Sequence, residues 1–216
     1  PAADSNHIRM STDVGRRIVE MVWEDLTPSK IITEKSVDNA VTVAMAMGCS
    51  TNAIIHLIAM SRRAGINLTM DDLDEKSRII PLLANIRPSG KDYLMEDFFY
   101  AGGILSLMNS LSDNLNLEEI TVSGSKLGEI IDGKETLNRD IIRPLDNPIY
   151  EEGSLAVLKG NLAPDGCVIK PAACDKKFLK HKGPALVFDS YPDMKKIIDS
   201  DELEVTENHV LVLRNV

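Results

Sequence analysis

The sequence lacks the features on which several large classes of protein depend. Its three cysteines include no Cys-x-x-Cys pair, which argues against a disulfide scaffold and favours a reducing compartment, so we expect a cytoplasmic protein. No run approaches the roughly 18 apolar residues of a membrane-spanning helix. The first ten residues lack the apolar core of a signal peptide. Acidic residues outnumber basic ones by 33 to 24, and the net charge of −9 disfavours a nucleic-acid partner.

Common catalytic and cofactor motifs are also missing. The sequence contains no Gly-x-Gly-x-x-Gly, and the run SGSKLGE at 123–129 departs from the phosphate-loop pattern. The acidic cluster at 71–75 lacks the glycine and the ligand spacing of a calcium loop, so we interpret it as a solvated helix start. Cys167, Cys174 and His181 recur every seven residues, but they lie in a segment typical of strand and loop. A metal site there is therefore a poor interpretation.

The residues that are present indicate a globular protein with two contrasting halves. Over 216 positions, 44% are hydrophobic and 26% are charged, enough for one large or two small domains. Helical spacing of apolar residues continues to about residue 112, whereas short apolar runs separated by turns begin near 142. We predict an α/β protein, α+β within this chain. Its parts are a helical region 1–112, a linker 113–141 and a β-rich region 142–216.

The β-rich region is predicted in some detail because turn residues separate its apolar runs. Strands are expected within four segments, with a short helix between the last two. The strand segments are 154–162, 167–173, 184–190 and 209–216, and the helix covers 193–200.

The first helix is predicted from apolar periodicity alone. Over residues 11–26, Val14, Ile18, Met21 and Val22 fall on one face, which we expect to be buried.

Later helices are predicted from residues that favour helix ends. Thr27, Ser36 and Thr69 each precede an amphipathic segment and are predicted as N-caps. A further helix is expected over 95–111, weakened by Gly102 and Gly103.

The run MGCSTNAIIHL, residues 47–57, carries the strongest local functional signal. Small polar residues open an apolar helix there, and the first N–H groups of a helix bind carboxylates or phosphates. Ser50, Thr51 and Asn52 are therefore candidate binding residues. Simple capping by Ser50 or Thr51 is the competing interpretation, and it needs only one of them.

Two nearby side chains invite a catalytic interpretation and support it poorly. Cys49 precedes the helix, where its pKa would fall. The nearest base in the sequence is His56, roughly 10 Å away along a helix, so direct pairing is not expected. We interpret Cys49 as a small packed residue and His56, flanked by Ile55 and Leu57, as a core or interface histidine.

Longer stretches occur in the order and spacing of a known family. They are GRRIVEMVWEDLTPSKIIT (15–33), GCSTNAIIHLIAMSRRAGI (48–66), IRPSGKDYLMEDFFYAGGI (86–104) and IIRPLDNPIYEEGSLAVLKGNLAPDG (141–166), continued by VIKPAA and VLVLRNV. Together they resemble the dihydroxy-acid and sugar-acid dehydratases across nearly the whole chain. The residues of the runs LANIRPSG and RPLDNP resemble the sugar-acid branch of the family more than the branched-chain amino-acid branch.

The resemblance implies a reaction, cofactors and an architecture. The family dehydrates a 2,3-dihydroxy carboxylic acid to a 2-keto acid with an iron–sulfur cluster and Mg²⁺, usually as a homodimer or dimer of dimers. The partner is then a small hydroxy acid. The helical region would end an N-terminal α/β domain, and the strands would begin a swivelling β-barrel-like domain. The competing interpretation is a non-catalytic binding or regulatory module that keeps this scaffold.

The resemblance also implies which functional residues this chain does not carry. The cluster cysteines, the metal ligands and the catalytic serine belong to family motifs outside these 216 residues, so we expect no catalytic residue and no metal ligand here. The run Cys174-Asp175-Lys176 is not the family's Cys-Asp-Lys motif, because it lies too far downstream. The run GCSTN resembles the family's Gly-Gly-Ser-Thr-Asn block. Ser50, Thr51 and Asn52 would then position a substrate hydroxyl or carboxylate, or support the cluster loop.

Overall fold

The computed structural model describes residues 5–201 and 203–214, and the chain divides into two compact units, Pro1–Ala173 and Cys174–Val216. Helices and small sheets are combined, consistent with the predicted α/β class. The predicted boundaries at 112 and 142 concern the domains of a larger protein and stay a prediction. No helix among the described residues is both long and apolar enough to span a membrane.

The first unit contains eight α-helices and an antiparallel strand pair among its described residues. The helices are α1 Ser5–Trp23, α2 Pro28–Ile31, α3 Glu34–Met47, α4 Thr51–Arg63, α5 Met70–Ile79, α6 Met95–Tyr100, α7 Gly103–Ser110 and α8 Leu127–Ile131. The strands are β1 Ala156–Leu158 and β2 Cys167–Ile169, with Ala156 opposite Ile169.

The second unit contains a parallel strand pair joined by a helix. Its elements are β3 Ala185–Phe188, α9 Tyr191–Ile197 and β4 Val210–Leu213, with Ala185 opposite Val210. Each of the four predicted strand segments thus contains an observed strand, and α9 overlaps the predicted helix. Residues 215 and 216 of the last predicted segment lie outside the described residues.

The core of the first unit is built around the C-terminal end of α3. Met45 and Ala46 are at most 1% exposed, and Leu83 and Ala84 of the following extended segment are completely buried. The backbone N–H groups of Leu83 and Ala84 donate to the Ala46 carbonyl at 2.8 and 3.1 Å. The segment from the β-rich region joins them, because the Ser154 N–H donates to the Met45 carbonyl at 3.2 Å.

Most of the predicted helix starts are confirmed, with one correction. Thr27 and Thr69 occupy the N-cap positions as predicted; the Thr69 hydroxyl accepts from the Asp72 N–H at 3.2 Å, whereas the Thr27 side chain makes no capping hydrogen bond. Ser36 is wrong as the cap of α3, because Thr33 occupies that position. The Thr33 hydroxyl accepts from the Ser36 N–H at 3.0 Å, and the Ser36 hydroxyl accepts from the Thr33 N–H at 2.9 Å. This reciprocal pair places Ser36 one turn inside the helix that it was expected to begin.

The predicted helix over 95–111 is interrupted, which the two glycines explain. Gly102 and Gly103 adopt φ of +116° and +63°, in a region that L side chains rarely occupy. The chain therefore breaks between α6 and α7.

The first helix forms as predicted, but its apolar face is not buried in this chain. Of the four residues on the predicted face, only Met21 is buried, while Val14, Ile18 and Val22 are more than half exposed. A polar contact connects α1 to the segment around residue 122, because the Arg17 guanidinium donates to the Val122 carbonyl at 2.7 Å. The burial expected from the periodicity is thus wrong for three of the four residues.

A carboxylate connects α5 to the strand pair. Asp74 is half-buried, accepts from the Val157 N–H at 3.0 Å and pairs with Arg78 at 2.9 Å. Burial acts to raise the pKa of Asp74, but the hydrogen bonds from Val157 and Arg78 outweigh it and lower the pKa. The folded state therefore prefers the ionised carboxylate.

We expect Asp74→Ala to lower the free energy of unfolding by about 1–3 kcal/mol, because it leaves the Val157 N–H without its acceptor. Arg78→Ala, the control, removes the largely exposed partner of Asp74 but leaves the Val157 N–H with its acceptor, so it should cost about 0.5 kcal/mol or less. Since folding lowers the pKa, the contribution of Asp74 is complete above about pH 4 and disappears as the pH falls through the folded-state pKa. Urea unfolding at pH 7 and pH 3 measures this; equal losses for the two variants at pH 7 would contradict it.

Candidate functional site

The candidate site lies at the turn between α3 and α4, residues 48–52. Gly48 ends α3 in a left-handed conformation, with φ +80°. A Cβ atom at Gly48 would lie 2.9 Å from the Ser89 hydroxyl and 3.2 Å from a Leu82 methyl group. Both the backbone conformation and the close approach therefore require glycine at this position.

The three predicted site residues share the first turn of α4 but differ in role. Ser50 is the N-cap, and its hydroxyl accepts from the Asn52 N–H at 3.3 Å. The side chains of Thr51 and Asn52 are exposed and make no hydrogen bond with the described part of the chain. The structure thus resolves the choice of cap in favour of Ser50 and leaves two polar side chains facing solvent.

Cys49 is a packed residue, as the sequence suggested. It is 7% exposed and belongs to the hydrophobic core of the first unit. Burial raises the pKa of its thiol, while the ammonium of Lys170 acts in the opposite direction. The lowered pKa expected from the helix terminus is therefore wrong, because the loss of hydration outweighs the favourable charges.

Sequence reasoning missed Lys170, which follows β2 and reaches the same turn. Its ammonium donates to the Gly48 carbonyl at 3.1 Å, and the side chain is half-buried. Burial lowers the pKa of Lys170, and the neighbouring Cys49 acts to raise it. In the sequence, Lys170 is marked only by its place between an apolar strand and Pro171. That position does not identify a hydrogen-bond partner 122 residues away.

His56 is exposed in this chain, so the expectation of a core histidine is wrong. It shares the solvent-facing side of α4 with Ile55 and Met60, which are 67% and 57% exposed. The interface alternative for His56 stays a prediction.

A groove of about 570 Å³ lies behind the turn, between α3, α4, α7 and the segment 119–127. Its walls are largely apolar, including Val43, Met47, Leu57, Ile104 and Met108. Cys49 lines it, whereas Ser50, Thr51 and Asn52 do not. The groove therefore offers few hydrogen-bonding groups, in contrast to the polar side of the turn.

The potential metal-binding side chains in the described part of this chain do not match the cofactors that the resemblance implies. Among residues 5–201 and 203–214, no group of three or more His, Cys, Asp or Glu side chains is arranged to hold a metal ion. Cys49 is buried alone in the core, and Cys167 is exposed on β2. These donors do not fit an iron–sulfur cluster or a Mg²⁺ site, so we assign no chemical step to either group within this chain.

The arrangement is suited to binding rather than to bond breaking. An exposed hydroxyl, an exposed amide and the partial positive charge of a helix N-terminus lie at one turn, next to an ammonium. A carboxylate or hydroxyl ligand is complementary to these groups. The ammonium at the turn, that of Lys170, donates to the Gly48 carbonyl.

Comparison with known proteins gives matches along almost the entire chain. Residues 1–130 match the N-terminal family model described as dihydroxy-acid/6-phosphogluconate dehydratase, and residues 140–216 match its C-terminal counterpart. The chain is 48% identical to a 6-deoxy-6-sulfo-D-gluconate dehydratase of Pseudomonas putida, over 100% of the chain and 38% of the relative.

Two further relatives represent both branches. An L-arabinonate dehydratase of Rhizobium leguminosarum is 42% identical over 100% of the chain and 37% of the relative. A dihydroxy-acid dehydratase of Methanosarcina acetivorans is 43% identical over 99% of the chain and 39% of the relative. The chain thus spans less than two-fifths of the length of these relatives.

We expect Ser50→Ala to lower the free energy of unfolding by about 1 kcal/mol, because the first turn of α4 loses its cap. Thr51→Val and Asn52→Ala should change it by about 0.5 kcal/mol or less, since neither side chain bonds to the described structure. Thermal unfolding of the three variants measures this. A larger loss for Thr51→Val than for Ser50→Ala would show that the cap is misassigned.

We expect the Cys49 thiol to react with iodoacetamide at pH 8 at least about tenfold more slowly than the exposed Cys167 thiol, because burial both covers it and raises its pKa. Labelling followed by peptide mass spectrometry measures both rates in one sample. In 8 M urea, as a control, the difference should vanish. Equal labelling of the two thiols in the folded protein would be incompatible with a packed Cys49.

Proposed function

Because the chain belongs to the dihydroxy-acid/6-phosphogluconate dehydratase family, we propose that the protein of which it forms part dehydrates a 2,3-dihydroxy carboxylic acid to a 2-keto acid. The observation that carries this proposal is the match of both family models to consecutive parts of the chain, 1–130 and 140–216. In such a reaction the C2 proton and the C3 hydroxyl leave as water, and the resulting enol becomes the ketone.

A sugar acid is the proposed class of substrate. Two relatives with 48% and 42% identity carry names that specify a sulfogluconate and an arabinonate. The sequence runs LANIRPSG and RPLDNP support the same branch. A branched-chain dihydroxy acid is the second candidate, favoured by the relative from Methanosarcina acetivorans at 43% identity.

Ser50, Thr51 and Asn52 are proposed to line the substrate site. The exposed Thr51 hydroxyl and Asn52 amide are available for hydrogen bonds, and Ser50 fixes the turn on which they lie. The first N–H groups of α4 add a preference for negative charge. The role of these residues is to hold and orient a hydroxyl or carboxylate while the bonds break elsewhere.

The cofactors belong to the proposal for the whole protein. The family resemblance implies an iron–sulfur cluster and Mg²⁺, and we propose that their ligands and the catalytic base are supplied by parts of the protein outside these 216 residues. The same resemblance supports a helical region that ends an N-terminal domain, a β-rich region that begins a swivelling domain, and a cytoplasmic homodimer or dimer of dimers.

The full-length protein with its metal centres loaded should form a 2-keto acid from at least one C5 or C6 aldonate, with a higher kcat/KM than for 2,3-dihydroxy-3-methylbutanoate. Trapping the ketone with semicarbazide measures the rate. No ketone from either substrate class, in protein shown by metal analysis to be loaded, would leave the non-catalytic module as the better proposal.

In that assay, Thr51→Val and Asn52→Ala should each raise KM about 5- to 150-fold, equivalent to about 1–3 kcal/mol, with little change in kcat, because they remove binding that is equal in the ground and transition states. Asn67→Ala, a change of the same type at an exposed residue after α4, is the matched control and should leave both constants unchanged. Unchanged KM in both site variants would remove this turn from the substrate site.

A further inference from the structure

Lys170 joins two parts of the chain that are far apart in sequence. It lies in the segment matched by the C-terminal family model, whereas Gly48 lies in the N-terminal match. Both residues belong to the compact unit Pro1–Ala173, and the Lys170 ammonium donates to the Gly48 carbonyl at 3.1 Å across 122 residues of sequence.

The position of Lys170 costs free energy of hydration that a fully exposed lysine keeps. The side chain is half-buried, and among the described residues no carboxylate forms an ion pair with it. An ammonium has three donors, and the structure gives this one a single hydrogen bond, to the Gly48 carbonyl. A cation that is partly removed from water without a carboxylate needs strong acceptors, and here it has a helix C-terminal carbonyl.

The orientation of the Gly48 carbonyl affects the start of α4, so a hydrogen bond to this carbonyl has consequences for the turn. The Ser89 hydroxyl and Leu82 pack closely against Gly48 on the side where a Cβ would lie. The left-handed conformation of Gly48 then directs the chain into the cap at Ser50. Rotation of the Gly48 peptide would therefore redirect the first turn of α4.

We infer that Lys170 is a positioning residue for the α3–α4 turn. Its ammonium holds the Gly48 carbonyl and thereby fixes the orientation of Thr51 and Asn52. The expected effect on substrate rests on the proposed function, whereas the effect on the turn does not. The contact also makes the geometry of the turn depend on the position of the segment that follows β2.

The kinetic test uses the full-length, metal-loaded protein and three variants. Lys170→Met, which keeps the length of the side chain and removes its donors and charge, should raise KM at least about tenfold and change kcat less than about threefold. Lys170→Arg keeps a cationic donor and should restore KM to within about threefold of the original. Lys159→Met is the matched control, because Lys159 is an exposed lysine that pairs with Asp71, and it should change neither constant.

The second readout is independent of activity. Hydrogen exchange in a peptide covering residues 47–57 should become about tenfold faster in Lys170→Met, and should stay unchanged in Lys159→Met and in the peptide covering 34–46. If the wild-type protein has no dehydratase activity but the exchange result holds, the proposed function fails and the positioning role in the turn stands.

Three outcomes would overturn the inference. One is unchanged KM and unchanged exchange in Lys170→Met. Another is a lowered melting temperature with normal kinetics, which would reduce Lys170 to a structural tie. The third is a loss confined to kcat, which would indicate participation in the reaction instead of positioning.

Discussion

The structure of the first unit depends on how the carbonyl groups at the end of α3 are satisfied. The last carbonyls of a helix have no partner within the helix, and burying them unpaired is costly. Here three distant segments supply the donors: the backbone at 83–84 bonds to Ala46, the backbone of Ser154 bonds to Met45, and Lys170 bonds to Gly48. The helix end thus determines where the extended core segment, the start of the β-rich region and the β1–β2 hairpin lie.

The candidate site follows from this constraint together with a balance of opposing electrostatic effects. The helix that starts at the same turn offers a partial positive charge, and Lys170 adds a full one. For the Cys49 thiol, the effect of burial is larger than the effect of these positive charges, so its pKa is raised. For the exposed side chains of Thr51 and Asn52 no such desolvation applies. The same turn therefore holds a buried thiol on its inner side and exposed polar groups on its outer side.

Local features of this molecule could be predicted from the sequence, and contacts between distant segments could not. The caps at Thr27 and Thr69, the break at Gly102 and the helix that begins after Ser50 all depend on residues within one turn of each other. The hydrogen bond from Lys170 depends on a partner that no local pattern identifies. The predicted burial of the apolar face of α1 was wrong for a related reason. Periodicity predicts which residues share a face, but not which segment covers that face.

The compact unit that ends at Ala173 does not coincide with the family boundary between 130 and 140, because the hairpin and Leu155 complete the core that α3 begins. This has a consequence for how such proteins evolve and can be recombined. A crossover between two relatives near residue 135 would pair one parent's α3 terminus with the other's donors. Exchange near residue 173 would transfer the helix end, Ser154 and Lys170 together. Natural or engineered chimeras of this family should accordingly tolerate junctions after the hairpin better than junctions at the sequence-defined domain boundary.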